Sequence, residues 1–334
     1  MSIEQQVTKP VKTIASSSGV KKYWPMIKKV VTYSFFVLIA YLIIKQAMTI
    51  EWEKVLTAFR ETPLHIFAFA SVIAIACFSV YASYDLIGRY FTKIKLSISK
   101  TWLVAILSYA FNLNLSSLVG GVAFRYRLYS RFGVGAKDVT KIIGISVATN
   151  WFGYIFLAGL LFVSGQIDVP QSWKVSNLTL QWIGAGFLCV VAGYFLLCAY
   201  KQGQEYKFKS VSLTIPGFKV ATFQLLLACC HWCLMASVIY LFFYEQVSFF
   251  LVFAVLLVSA VAGAVTHIPG GLGVLEAVFV ALLAAKIDKS QILAGLFAYR
   301  CVFYLLPLAL ATPVYLSLEA MVKGNGNETV ATEN

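Results

Sequence analysis

Thr266-His267-Ile268-Pro269-Gly270-Gly271-Leu272-Gly273-Val274-Leu275-Glu276 lies between two apolar runs, 247–265 and 277–285. Pro269 lacks an amide donor and restrains the residue before it, so the first helix is expected to end near Thr266 to Ile268. Gly270, Gly271 and Gly273 open backbone shapes and close approaches that other residues resist. The pattern predicts a new helix from Gly271 or Leu272, with Glu276 in its second turn. In a bilayer, irregular backbone is tolerated only inside protein or along a wet cavity. An ionisable side chain at that depth is a functional candidate. The competing reading is a cytosolic turn between two ordinary spans, with Glu276 satisfied by a neighbour.

Outward from this break, the chain of 334 residues is 60% hydrophobic and only 12% charged, with a mean hydropathy of +0.80. Several runs reach the roughly 20 residues that a spanning helix needs. The expected fold is an all-α polytopic membrane protein of about 6–8 transmembrane helices, with one or two re-entrant or broken segments. A single transmembrane domain over 30–318 would follow a cytosolic basic tail, 1–29, and precede a disordered cytosolic tail, 319–334. The runs are too long and uniform for barrel strands, and no segment is left for a soluble catalytic domain. The net charge of +13 sits in short loops beside spans, where it sets orientation and meets anionic lipid; nucleic acid is not an expected partner. The seven cysteines fall in apolar segments without disulfide or metal spacing. No metal and no cofactor is expected.

Charge placement fixes the expected topology. Lys9, Lys12, Lys21, Lys22, Lys28 and Lys29 precede a first span at 30–48, which puts the N-terminus in the cytosol. Residues 64–87 return, ending in Arg89, Lys93, Lys95 and Lys100. Residues 101–119 are apolar enough to cross, yet Arg125, Arg127, Arg131, Lys137 and Lys141 follow them. A dip that enters and leaves on the cytosolic side removes this conflict. Asn112, Asn114 and Ser116 alternate with Leu113 and Leu115, an extended rather than helical period, and Gly120-Gly121 supplies the exit. Spans at 139–164, 179–200 and 220–243 follow, then the broken pair, then 291–318 to a cytosolic C-terminus. The pair 247–285 either dips from outside or crosses twice. Two glycine-bearing breaks entered from opposite sides fit inverted half-repeats, about 30–200 and 201–318.

Arg300 sits about ten residues into the last span, and Glu276 nine residues before the outer end of its helix. At 1.5 Å per residue both lie roughly 14–15 Å deep, which favours a pair, a wet cavity or both. Arg125 and Arg127 follow the first dip and present planar forks suited to phosphate oxygens. A helix starting near Gly271 and Gly273 adds free amides and a positive dipole end. Asn112, Asn114, Asn150, Tyr299 and Tyr304 are candidate polar lining, each also explained by ordinary contacts between helices. Asp85, near the inner end of its span, can reach water or Arg89, and His231 reads as a satisfied contact between helices. Pro307 and Pro313 are expected to kink the last span.

Three stretches carry a family resemblance: Pro269 to Glu276, Gly120-Gly121 with Arg125-Tyr126-Arg127-Leu128-Tyr129, and Tyr299-Arg300 with Tyr304 and Pro307. They resemble the lysylphosphatidylglycerol synthase transmembrane-region family, in particular its YbhN-like inner-membrane branch in Gram-negative bacteria. The resemblance covers about residues 30–320. It implies a helical membrane fold with a lipid-translocating cavity in the bacterial inner membrane. It points to Arg125, Pro269, Gly271, Gly273, Glu276 and Arg300. Relatives of this kind join such a region to a soluble aminoacyltransferase that is not seen here, so the chain is expected not to be an enzyme. The leading expectation is a flippase or transporter for anionic or phosphate-bearing lipid. The alternatives are a proton-coupled small-solute transporter and a non-transporting scaffold for phospholipid synthesis. Expected partners are membrane phospholipids with anionic headgroups; a homo-oligomer or an enzyme of lipid synthesis stays open.

Overall fold

The computed structural model describes residues 52–115, 117–165, 176–208, 211–266 and 268–331. The basic tail, the span expected at 30–48, most of the loop 165–178 and His267 lie outside the described residues. From Trp52 onward the chain packs as one unit. It begins with α1 (Trp52–Glu61), α2 (Leu64–Thr92) and α3 (Ile98–Asn114), then a π-helical turn, Ser117–Ala123, leading into α4 (Phe124–Arg131). Next come α5 (Ala136–Val163), α6 (Asn177–Tyr200), a β-hairpin of β1 (Glu205–Phe208) and β2 (Val211–Thr214), and α7 (Phe218–Leu241). The chain closes with α8 (Phe249–Thr266), α9 (Val274–Leu283), α10 (Lys289–Arg300), a second π-helical turn, Cys301–Leu305, and α11 (Leu306–Ala331).

Six of these stretches are long and apolar enough to cross a membrane: α2, α5, α6, α7, α8, and the continuous run Lys289–Ala320. The chain is an all-α polytopic membrane protein. In α2, α5, α6 and α7 apolar residues surround the helix, as lipid contact requires. The short α1 instead gathers them on one face, where Phe59 meets Phe67 and Phe297. Sequence reasoning missed the antiparallel β-hairpin in the basic loop, which pairs Glu205 with Thr214 and Phe208 with Val211.

Two helical hairpins form part of this bundle. The first is α3, the π turn and α4. Its two ends lie together, with Lys100 at the start of α3 5.3 Å from the Phe132 ring just beyond α4. Arg127 and Arg131 there pair with Glu319 on α11, so this hairpin enters and leaves at the basic end. The chain doubles back here, but the inbound arm is helical through Asn114 rather than extended. A five-residue alternation is too short to override helix propagation, and the Asn114 side-chain amide donates to the Ala110 carbonyl one turn back at 2.8 Å. Gly120 permits the return. A Cβ there would lie 2.3 Å from the Asn112 nitrogen and the Phe111 carbonyl.

The second hairpin is α8 and α9. Phe279, near the end of α9, stacks on Phe243, which lies just before α8. Phe242 beside it meets Phe67, near the start of α2. This hairpin therefore opens at the end opposite the basic one. Its first helix stops at Thr266, as the Pro269 rule requires. The next helix starts at Val274, later than the expected Gly271 or Leu272, because Gly270, Gly271 and Gly273 all take left-handed φ values of 63°, 57° and 79°. Glu276 therefore falls in the first turn of α9 rather than its second.

The last span is interrupted before Pro307 rather than bent at it. The Leu306 amide bonds to the Cys301 carbonyl, one residue further back than an α-helix allows. The helix then continues through Pro313. Its backbone is helical as far as Ala331, through much of the segment expected to be a disordered tail.

Candidate functional site

The tips of the two hairpins meet. A Cβ on Gly270 would stand 3.0 Å from the Leu113 carbonyl oxygen and 3.7 Å from that of Asn114. Asn114 also donates its side-chain amide to the Tyr304 carbonyl at 3.1 Å. One junction thus joins the end of α3, the glycine tip and the π turn of the last span.

Arg300 builds the glycine side of this junction. Its Nη1 donates to the Gly270 carbonyl and its Nη2 to the Gly271 carbonyl, each at 3.1 Å. Its Nε and Nη2 also donate to the two carboxylate oxygens of Glu276, the latter at 3.1 Å. The Tyr304 ring lies 5.0 Å from the guanidinium carbon, close enough for a cation–π contact. Glu276 accepts in addition from the Gly273 amide at 2.9 Å. The carboxylate caps its own helix, at the end where the helix dipole favours negative charge. The expected free amides at the helix start are therefore partly used within the protein. Arg300 and Glu276 are 12% and 23% exposed, so the pair is reachable.

Arg125 is placed differently. Its Nε and Nη2 donate to the two oxygens of Asp85, both at 3.0 Å, and its Nη1 to the Gly121 carbonyl at 3.1 Å. Tyr129 donates its hydroxyl to Asp85 at 2.9 Å, and Tyr81 lies under the guanidinium at 5.6 Å. The pair is sealed, at 2% and 0% exposure. The fork expected to face a cavity is filled by Asp85. Asp85 itself reaches neither water nor Arg89, whose Nε donates to the Leu96 carbonyl. Arg127 is exposed and lies at the basic end on Glu319, away from both tips.

The remaining candidates divide. Tyr299 is buried, stacked on Phe303 and 5.6 Å from the Tyr304 ring. Asn112 faces Gly121, with its side-chain oxygen buried and without a hydrogen-bond partner among the described residues. Asn150 is half-buried on α5, where its backbone carbonyl accepts from Trp232. His231 is a satisfied contact between helices, placed between the Cys77 sulfur and the Tyr109 hydroxyl, each at 3.3 Å. Among the described residues no group of three or more His, Cys, Asp or Glu side chains could hold a metal ion. Sequence reasoning missed two carboxylate partners: Asp85 for Arg125, and Glu319 for Arg127 and Arg131. The only sequence signal was two arginines four apart on α4, one turn of one face.

Comparison with known proteins agrees with this architecture. The model of the lysylphosphatidylglycerol synthase TM region matches residues 29–311. The inner membrane protein YbhN of Escherichia coli is 40% identical over 301 residues, covering 90% of this chain and 95% of that protein. A protein of Synechocystis is 29% identical over 78% of this chain and 82% of its own length. A phosphatidylglycerol lysyltransferase of Staphylococcus aureus is 24% identical over 87% of this chain, which corresponds to only 34% of that larger protein. With the family model spanning the two hairpins and the meeting of their tips, this chain belongs to the lysylphosphatidylglycerol synthase transmembrane-region family.

Proposed function

We propose that this protein moves phosphate-bearing lipid between the leaflets of a bacterial inner membrane, with Arg300 and Glu276 as its headgroup site. The observation that carries the reading is a partly exposed arginine–carboxylate pair where two broken hairpins meet. A planar guanidinium suits phosphate oxygens. Irregular backbone at such a depth belongs beside a polar path. The inner-membrane location is drawn from the name of the E. coli relative. The lipid class is drawn from the names of the staphylococcal ones, which act on phosphatidylglycerol. Arg125 serves as the anchor of the first hairpin in this reading, and Arg127 as a fastening at its open end. Proton-coupled solute transport is the weaker reading, because both oxygens of Glu276 already accept from donors.

The test uses purified protein in liposomes with fluorescent phosphatidylglycerol and an impermeant quencher. The protein speeds the loss of inner-leaflet signal, and Arg300→Gln and Glu276→Ala abolish the gain. Rates equal to those of empty vesicles overturn the proposal and leave a non-transporting scaffold. Unimpaired flipping by both variants removes the site from it.

A further inference from the structure

The two sets of bonds on Arg300 differ in what remains when they break. Glu276 keeps the Gly273 amide and the N-terminal end of α9. The tip loses the two hydrogen bonds that tie it to the last span among the described residues, at the Gly270 and Gly271 carbonyls. These two glycines hold left-handed φ values of 63° and 57°. They have no side chain to pin that shape. The neighbouring surface is open, with Leu272 52% exposed and Leu115 on the facing tip 42% exposed.

We infer that a phosphate group opens the second tip by exchange. Its oxygens take the Arg300 fork from Glu276 and from the two glycine carbonyls. The carboxylate retains its cap, so α9 stays in place, and the released segment is 268–273. That segment withdraws from the Leu113 carbonyl and parts the two tips. The first hairpin holds still, because Asp85 and Arg125 are sealed from any ligand. The headgroup is then both cargo and trigger. This rests on the reading of Arg300 as the headgroup site. The shared chemistry is a phosphate oxyanion, whether on a lipid or free.

Hydrogen–deuterium exchange on the detergent-solubilised full chain tests the inference, with bound lipid monitored by native mass spectrometry. Dioctanoyl phosphatidic acid is expected to speed exchange across 268–275 by roughly tenfold or more, the mark of an easier local opening, and to leave 117–125 unchanged. Dioctanoylglycerol, which lacks the phosphate, has no effect. Inorganic phosphate assigns the trigger to the free ion if it acts equally, and to the lipid headgroup if it does not. Arg300→Gln exchanges fast without lipid and responds to none. Glu276→Gln, a milder change, opens at lower lipid concentration. Bound lipid with unchanged or slower exchange at 268–275 overturns the inference, as does wild-type protection in Arg300→Gln or no lipid binding at all. Flipping without tip opening sinks only this inference, whereas tip opening without flipping sinks only the proposed function.

Discussion

The two hairpins use the same parts in opposite ways. Each carries glycines at its tip, and each is tied by an arginine that binds a tip carbonyl and a carboxylate. In the first hairpin the arginine belongs to the hairpin and the carboxylate, Asp85, to the scaffold helix α2. In the second, the carboxylate belongs to the hairpin and the arginine to the last span. Gly120 is needed because another backbone presses on it, 2.3 Å from where a Cβ would sit; Gly270 is needed chiefly because its φ is left-handed, with the Leu113 carbonyl oxygen a milder neighbour at 3.0 Å. The first pair is sealed and the second is reachable. In the proposed transport the sealed pair belongs to a fixed wall and the reachable pair to the part that yields.

This contrast predicts a descending series of effects. Asp85→Ala should be the most damaging. It strands Arg125 in an apolar interior at a cost of about 3–5 kcal/mol, read as a large fall in melting temperature in detergent. Pairing it with Arg125→Leu should recover part of the loss, because an apolar pair leaves no buried charge. Gly120→Ala follows at about 1–3 kcal/mol, an overpacking cost that backbone atoms cannot relieve. Gly270→Ala should cost about 1–2 kcal/mol, and Gly270→Asn less, because asparagine tolerates left-handed backbone. The comparison would be wrong if asparagine rescued position 120 and not 270. Arg127→Ala should be smallest and leave the melting temperature within error, since this arginine is 58% exposed and its pair is screened by solvent.

How much could be read from the residues depended on whether the deciding contact was local. The break at Pro269 was legible, because proline and glycine act on their own backbone. The pairing of Arg300 with Glu276 was legible from depth alone, as two charges in apolar runs counted to one level. The Asp85–Arg125 pair was not. The partners lie forty residues apart, and α2 extends past Asp85 to Thr92, so a site that looked close to water is buried between helices. Glu319 is further still from its two arginines. The β-hairpin had a usable signal in the alternation of Glu205-Tyr206-Lys207-Phe208. The basic residues of that loop mask the short period.

The π turn at Cys301–Leu305 sets the rotational phase of the last span. Arg300 before it faces the glycine tip of the second hairpin, and Glu319 after it faces the open end of the first. Winding the same residues as ordinary α-helix would swing one face past the other by roughly 100°, whereas deleting one residue there should remove the turn and keep both faces in place. The last span resembles a key with two bits cut at a set angle, able to engage both locks only while the π turn absorbs its extra residue.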